Sequence, residues 1–277
     1  MKSIAACCGM AALACALAGP AMAQQIVSTG ESFLEARLMI GKQRPDGTRE
    51  AGLEFVMRDG WKTYWRSPGE SGVPPQLDWR ASSNLAGVEV AWPRPSVFES
   101  FGYTTLGYGG RVVLPLVLVP EEAGRPIRLA LNGMLGVCRE ICVFEEVDLG
   151  VEIAPDGPAP DRVAIGIAWL TVPPSGDEAG VSFSACRVAG AGEARRFEAA
   201  LSLPAGTPEP MVVLEGPDGS WFEDTTVTPA PSGDRGGWRV EATMMVPEAA
   251  WLDRSAITTT VLAGPLAAEI SGCAPTG

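Results

Sequence analysis

Asn132-Gly133-Met134-Leu135-Gly136-Val137-Cys138-Arg139-Glu140-Ile141-Cys142-Val143-Phe144 lies between two stretches of alternating hydrophobicity, Ile127–Leu135 and Val143–Ile153. Alternation of this kind buries one face of a strand and wets the other, so the segment reads as the end of a β-hairpin. Fully extended, residues 138 to 142 would hold their Cα atoms roughly 13 Å apart. A disulfide needs them within about 7 Å. Either these cysteines are not partners, or the backbone turns sharply between them.

The same period-two pattern extends in both directions. Ser32–Ile40, Gly52–Arg58, Val88–Trp92 and Arg111–Val119 precede the hairpin, separated by Pro, Gly, Asn and Asp. Beyond it, Ala154-Pro155-Asp156-Gly157-Pro158-Ala159-Pro160 fits neither helix nor central strand and reads as a linker. Asp161 is placed to cap a short helix over residues 162–170. Seven further strands follow: Val181–Val188, Arg196–Leu203, Met211–Leu214, Trp221–Val227, Trp238–Val246, Ala256–Leu262 and Ala267–Ile270. Short strands at this spacing predict an all-β chain of two immunoglobulin-like β-sandwiches in tandem, over residues 24–154 and 161–277.

The first 23 residues read as an export signal. Lys2 is followed by the apolar stretch Ile4–Leu17, then Gly19-Pro20, and Ala21-Met22-Ala23 offers a cleavage site before Gln24. Cleavage after Ala23 removes Cys7, Cys8 and Cys15 and leaves Cys138, Cys142, Cys186 and Cys273. In an exported protein, four cysteines read as two disulfides before they read as a metal site.

Composition excludes several functions among the 277 residues. There is no histidine, which removes Ser-His-Asp and Cys-His nucleophiles and any His-ligated zinc. A net charge of −12 argues against nucleic acid as a partner, because phosphate binding needs a basic face. Pro68-Gly69-Glu70-Ser71-Gly72 reads as a turn, with no phosphate-loop lysine. Cys138 and Cys142 with Met134 nearby form a soft-sulfur set of the kind Cu(I) prefers, but no Met-rich or Cys-rich cluster supports it, so no metal and no cofactor are expected. The aromatic residues Trp61, Tyr64, Trp65, Trp79 and Trp92 are assigned to the sandwich core.

Two readings of the Cys138/Cys142 pair remain from the residues alone. One is a hairpin staple. The other is a pair that cycles between dithiol and disulfide, favoured because so short a loop gives a cross-link little stabilising value. Arg139 beside Cys138 favours the thiolate and Glu140 opposes it.

Three stretches resemble a known family. They are Tyr64-Trp65-Arg66-Ser67-Pro68-Gly69-Glu70-Ser71-Gly72 with Leu77-Asp78-Trp79, then Phe101-Gly102-Tyr103 through Tyr108 with Val112-Val113-Leu114-Pro115, and Cys138-Arg139-Glu140-Ile141-Cys142. In this order they resemble the N-terminal periplasmic domain of the DsbD/ScsB thiol:disulfide interchange proteins. The resemblance implies an immunoglobulin-like sandwich whose cysteine pair, Cys138 and Cys142, is the catalytic centre. It implies electrons received from a membrane-embedded thiol reductase and passed to periplasmic thioredoxin-like or other disulfide-bearing acceptors. It also implies an aromatic cap loop, here Phe101 and Tyr103, over the pair, with Cys142 as the cysteine that engages partners. Val143-Phe144 stand where the family often has a proline. The membrane and thioredoxin-like domains of the full-length proteins are absent, which implies a stand-alone periplasmic module. The contrast between a turn-length and a domain-length loop predicts Cys138–Cys142 and Cys186–Cys273 as the two bonds, the second a structural staple. The rival function is a non-catalytic periplasmic binding module, such as a chaperone or copper-handling adaptor, with purely structural disulfides.

Overall fold

The computed structural model describes residues 24–25, 32–100, 102–217, 219–230, 237–247 and 252–273. The expected signal peptide, residues 1–23, and the cap residue Phe101 lie outside the described residues.

Two antiparallel sheets enclose the first core. One carries β1 (Gln24–Gln25), β11 (Cys142–Ile153), β10 (Ile127–Cys138), β4 (Lys62–Gly69), β8 (Tyr103–Gly109) and β7 (Ser96–Ser100) in that spatial order, with β5 (Gln76–Asp78) also paired to β10. The other carries β2 (Leu34–Gln43), β3 (Arg49–Met57), β9 (Arg111–Val119) and β6 (Gly87–Val90). Inward residues of both sheets, among them Leu53, Phe55, Trp65, Leu114, Leu116, Leu129, Leu131 and Leu135, are fully buried against one another. Trp65 fulfils the core assignment, while Trp61, Trp79 and Trp92 pack against the core from partly exposed positions.

A second core lies between the four-stranded sheet β12 (Ser182–Ala189), β13 (Ala194–Ser202), β16 (Gly237–Met245), β15 (Trp221–Pro229) and the three-stranded sheet β14 (Met211–Glu215), β17 (Thr258–Ala263), β18 (Leu266–Ser271). Phe197, Leu201, Val240, Met244 and Val261 fill it. The architecture is all-β, in antiparallel sheets, with few helical residues.

Helix α1 (Arg162–Trp169) packs back onto the first unit, burying Ile165 and Ala168 against Met39 and Val113. Asp161 precedes it without a side-chain cap bond. Its carboxylate accepts instead from the Ile40 backbone N–H at 2.9 Å and from Arg37 at 3.1 Å. An unpaired strand N–H and a guanidinium outcompete the helix end for the same oxygens. A short α2 (Gly176–Ala179), unforeseen in the sequence, is held by a capping box between Ser175 and Glu178.

The two units meet across the three-stranded sheet. Leu262 is buried in the first core, and Met211, Val213 and Ala267 pack against it. Arg66, in the middle of β4, donates to both oxygens of Glu215 at 2.8–3.1 Å and pairs with Glu269. Its guanidinium also lies 4.6 Å from the Trp65 ring centroid. Truncating Arg66 would leave two half-buried carboxylates facing each other without a cation. Removing the cation from a partly buried cluster costs more than the loss of an exposed pair, about 0–1 kcal/mol, and less than that of a fully buried one, about 3–5 kcal/mol. Arg66→Ala is therefore expected to lower the melting temperature by several degrees, and Arg66→Lys to recover part of the loss. A melting temperature equal to the parent's would mean that the ion cluster contributes nothing to holding the units together.

Candidate redox site

The β10–β11 hairpin runs in continuous register from Ile127 opposite Ile153 to Cys138 opposite Cys142. Three residues, Arg139 to Ile141, close the turn, and the Arg139 N–H donates to the Ile141 carbonyl at 3.0 Å. The cysteines are directly cross-strand, with their Cα atoms 4.1 Å apart and a bond between their sulfurs. The sharp turn, not an extended connection, brings them together.

Their exposures differ. Cys138 is 2% exposed, while Cys142 is solvent-exposed and flanked by Ile141 and Phe144, 66% and 64% exposed. The pair is therefore open to solvent on the Cys142 side.

Tyr64 covers the buried sulfur. Its hydroxyl lies 3.0 Å from Cys138 Sγ and 3.7 Å from Cys142 Sγ. Disulfide sulfurs carry no hydrogen, so the phenol is the donor. Two glycines make room for its ring. A Cβ at Gly136 would stand 3.1 Å from the ring edge, and one at Gly72 would stand 2.8 Å from the opposite side. β4 is locked to β10 by the Thr63 hydroxyl, which donates to the Gly136 carbonyl at 3.0 Å. On its other side β8 must approach closely, since a Cβ at Gly107 would lie 2.1 Å from the Thr63 oxygen. Burial pushes the Tyr64 pKa up, so the phenol keeps its proton as pH rises and stays a donor.

Lys62 is the strand partner of Cys138 on β4. Tyr103 opens β8, paired with Ser100, whereas Gly109 at the other end of β8 is the residue level with Lys62. Backbone register thus places Tyr103 away from the cysteines. An open depression of about 610 Å³ lies beside the turn, lined by Arg139, Glu140 and Ile141 together with Trp61 and Phe33. Phe33 and Trp61 stack with their centroids 3.9 Å apart. Among the described residues no cluster of three or more Cys, Asp or Glu side chains is arranged to hold a metal.

Cys186 and Cys273 are both buried in the second core and bonded, with their Cα atoms 5.4 Å apart. Cys186 follows Ala185, whose φ of 52° marks a bulge in β12.

Sequence reasoning found the cysteines and missed Tyr64 and Lys62 as parts of the site. The available signal was Trp65, whose inward side chain sends Lys62 and Tyr64 to the opposite face by strand alternation.

No curated protein sequence matches the chain at a significant level. Residues 32–151 match the family model described as thiol:disulfide interchange protein DsbD, N-terminal. The crystal structure of the N-terminal periplasmic domain of ScsB from Proteus mirabilis superposes with a TM-score of 0.63 at 24% identity, covering 91% of this chain and 98% of that one. That likeness of fold therefore extends over the second unit as well. Among the described residues no helix is long and apolar enough to cross a membrane. The first sandwich, through residues 32–151, resembles the N-terminal domain of the DsbD family of thiol:disulfide interchange proteins.

Proposed function

We propose that the chain is a periplasmic thiol:disulfide interchange module that relays reducing equivalents through Cys138 and Cys142. The observation that carries this is the asymmetry of the pair: one exposed cysteine, and one buried beneath a protonated phenol. A donor thiolate attacks Cys142 Sγ, the bond to Cys138 breaks, and the electron pair leaves on Cys138 Sγ as a thiolate. The Tyr64 hydroxyl, already 3.0 Å away, strengthens its bond as that charge appears. A second donor thiolate then releases Cys142, and the donor leaves as a disulfide. The same steps in reverse deliver the electrons to an acceptor.

In this reading residues 24–154 form the redox sandwich and 161–277 a second sandwich stapled by Cys186–Cys273. The donor is a membrane-embedded thiol reductase, and the acceptors are thioredoxin-like or other disulfide-bearing periplasmic proteins. Phe101 belongs to a loop that limits access, a role that the register of β8 denies to Tyr103, and export follows cleavage after Ala23. No cofactor takes part, since both electrons travel in sulfur–sulfur bonds.

Equilibration of the pair in glutathione buffers of graded ratio tests the function. A reduction potential below about −300 mV would mark a resistant structural bond and overturn the proposal. Tyr64→Phe keeps the buried ring and removes the donor. Hydrogen bonds to charged groups contribute about 1.5–3 kcal/mol, so exchange with a small dithiol should slow roughly tenfold or more. An unchanged rate would show that the phenol does not assist the leaving thiolate.

A further inference from the structure

Lys62 stands opposite Cys138 in the β4–β10 ladder. Two-residue alternation puts it on the face that also presents Tyr64, and directly opposite residues hold their Cβ atoms about 4.5–5.5 Å apart. Yet its ammonium is turned away from the sulfurs. It donates to the Thr105 hydroxyl at 3.3 Å and lies 4.7 Å from the Phe98 ring centroid. Both partners are electrically neutral, and both belong to the β7–β8 hairpin. Among the described residues no carboxylate forms an ion pair with Lys62. Partial desolvation lowers its pKa, the mark of a cation that lacks a counter-charge.

Reduction supplies one. Opening the disulfide leaves a full negative charge on Cys138 Sγ, on the strand position in register with Lys62. A hydroxyl and an aromatic face offer an ammonium only dipole and quadrupole attraction, whereas an adjacent thiolate in a partly buried site offers a full opposite charge. A lysine side chain, with four methylenes, spans the cross-strand gap.

We propose that Lys62 is the counter-cation of the reduced site: it rests on Thr105 and Phe98 while the disulfide is closed, and turns to the Cys138 thiolate when the pair is reduced. The proposal deepens the redox reading above. Two consequences follow. The thiolate becomes a better leaving group, which speeds attack at Cys142. The β7–β8 hairpin loses its cation contact only in the reduced state, so the redox state of the pair is written into the hold on that hairpin.

Other charged groups around the site form a constant background. Tyr64 lies on β4; Arg139 and Glu140 lie in the turn, 3.9 Å apart and largely in solvent. Glu99 on β7 accepts from the Thr104 hydroxyl, and Glu70 beyond β4 accepts from the Thr104 N–H. Asp59 lies in the turn before β4, and Glu146 on β11 faces Met134 across the ladder. A Lys62 substitution leaves all of them in place.

The test begins with the full chain carrying Cys142→Ser, in which Cys138 is the one thiol of the pair. Ultraviolet absorbance of the thiolate reports its titration. Adding Lys62→Met should raise the Cys138 pKa by about one unit, so that about tenfold less thiolate is present at neutral pH. Lys62→Arg should restore most of it. In the parent, the Lys62 ε-methylene protons should show the upfield ring shift of Phe98 while oxidised and lose it on reduction. An unchanged titration, or protons that stay under the ring after reduction, overturns the proposal. Neither readout needs a partner protein. A parent pair that resists exchange with thiols would instead sink the relay function and leave the titration result standing.

Discussion

Cys138→Ser should accumulate a mixed disulfide with a partner, whereas Cys142→Ser should neither trap one nor exchange. Only Cys142 is exposed, so it alone can attack a partner disulfide or be attacked. With Cys138 present, its thiolate attacks Cys142 Sγ from the adjacent strand position and expels the partner. With Cys138 removed, the mixed disulfide has no resolving thiol and persists. Non-reducing electrophoresis after rapid alkylation separates these outcomes. Both variants should lose electron transfer entirely, yet remain folded. The two cysteines are 4 residues apart in sequence, and the chain-entropy model assigns so short a loop about 2 kcal/mol. If both variants melt far below the parent and neither traps a partner, the bond is a staple and the binding-module reading takes its place. A trap formed by Cys142→Ser instead would reverse the two roles.

Alternation marks strands such as β11, with one buried and one wet face, whereas β9 is buried on both faces and shows as a near-continuous apolar run. β9 was read at its observed bounds, Arg111–Val119, and every expected strand of the second unit is present. β4 went unread for a physical reason. Thr63, Tyr64 and Trp65 are all buried, so no alternation exists to detect, and Lys62, Thr63, Arg66 and Ser67 leave no apolar run like that of β9. The irregular register between Tyr64 and Gly69 then ends in Pro68-Gly69, which reads as a turn but still belongs to the strand. Gly107 and Gly109 make β8 read as a loop, although Gly107 is a strand residue whose missing Cβ admits the Thr63 carbonyl.

The same limit applies to the site. Cys138 and Cys142 are close in sequence, and spacing alone framed the choice between a turn and no bond. Tyr64 reaches them through pairing between β4 and β10, which brings together positions 74 residues apart. No local pattern encodes such a contact. The sequence therefore groups Tyr64 with its aromatic neighbours in the core. Its burial made that assignment half right, but its hydroxyl points to the sulfurs rather than into the sandwich.

Loss of the second disulfide should have the opposite effect to loss of the first. Cys186 and Cys273 are 87 residues apart, and their bond ties β12 of the four-stranded sheet to the segment just beyond β18 of the three-stranded sheet. Closing a loop of that length constrains the unfolded chain by about 4–5 kcal/mol in the entropy model, roughly twice the value for the hairpin bond. In the native state both sulfurs are buried among Phe197, Leu201 and Val240, so serine would also place a hydroxyl in an apolar core. Cys186→Ser should thus lower the melting temperature by about ten degrees or more, while exchange at Cys138 and Cys142 proceeds at the parental rate below that temperature. One pair closes a hairpin turn with Cys142 in solvent and the other lies inside the second core, which is why stability and reactivity should separate. Thermal melting beside exchange kinetics of the same variant decides it. If Cys186→Ser melts with the parent, the staple assignment fails. If the variant stays folded but exchanges slowly, the second pair takes part in the relay, and the division of one reactive and one structural disulfide no longer holds.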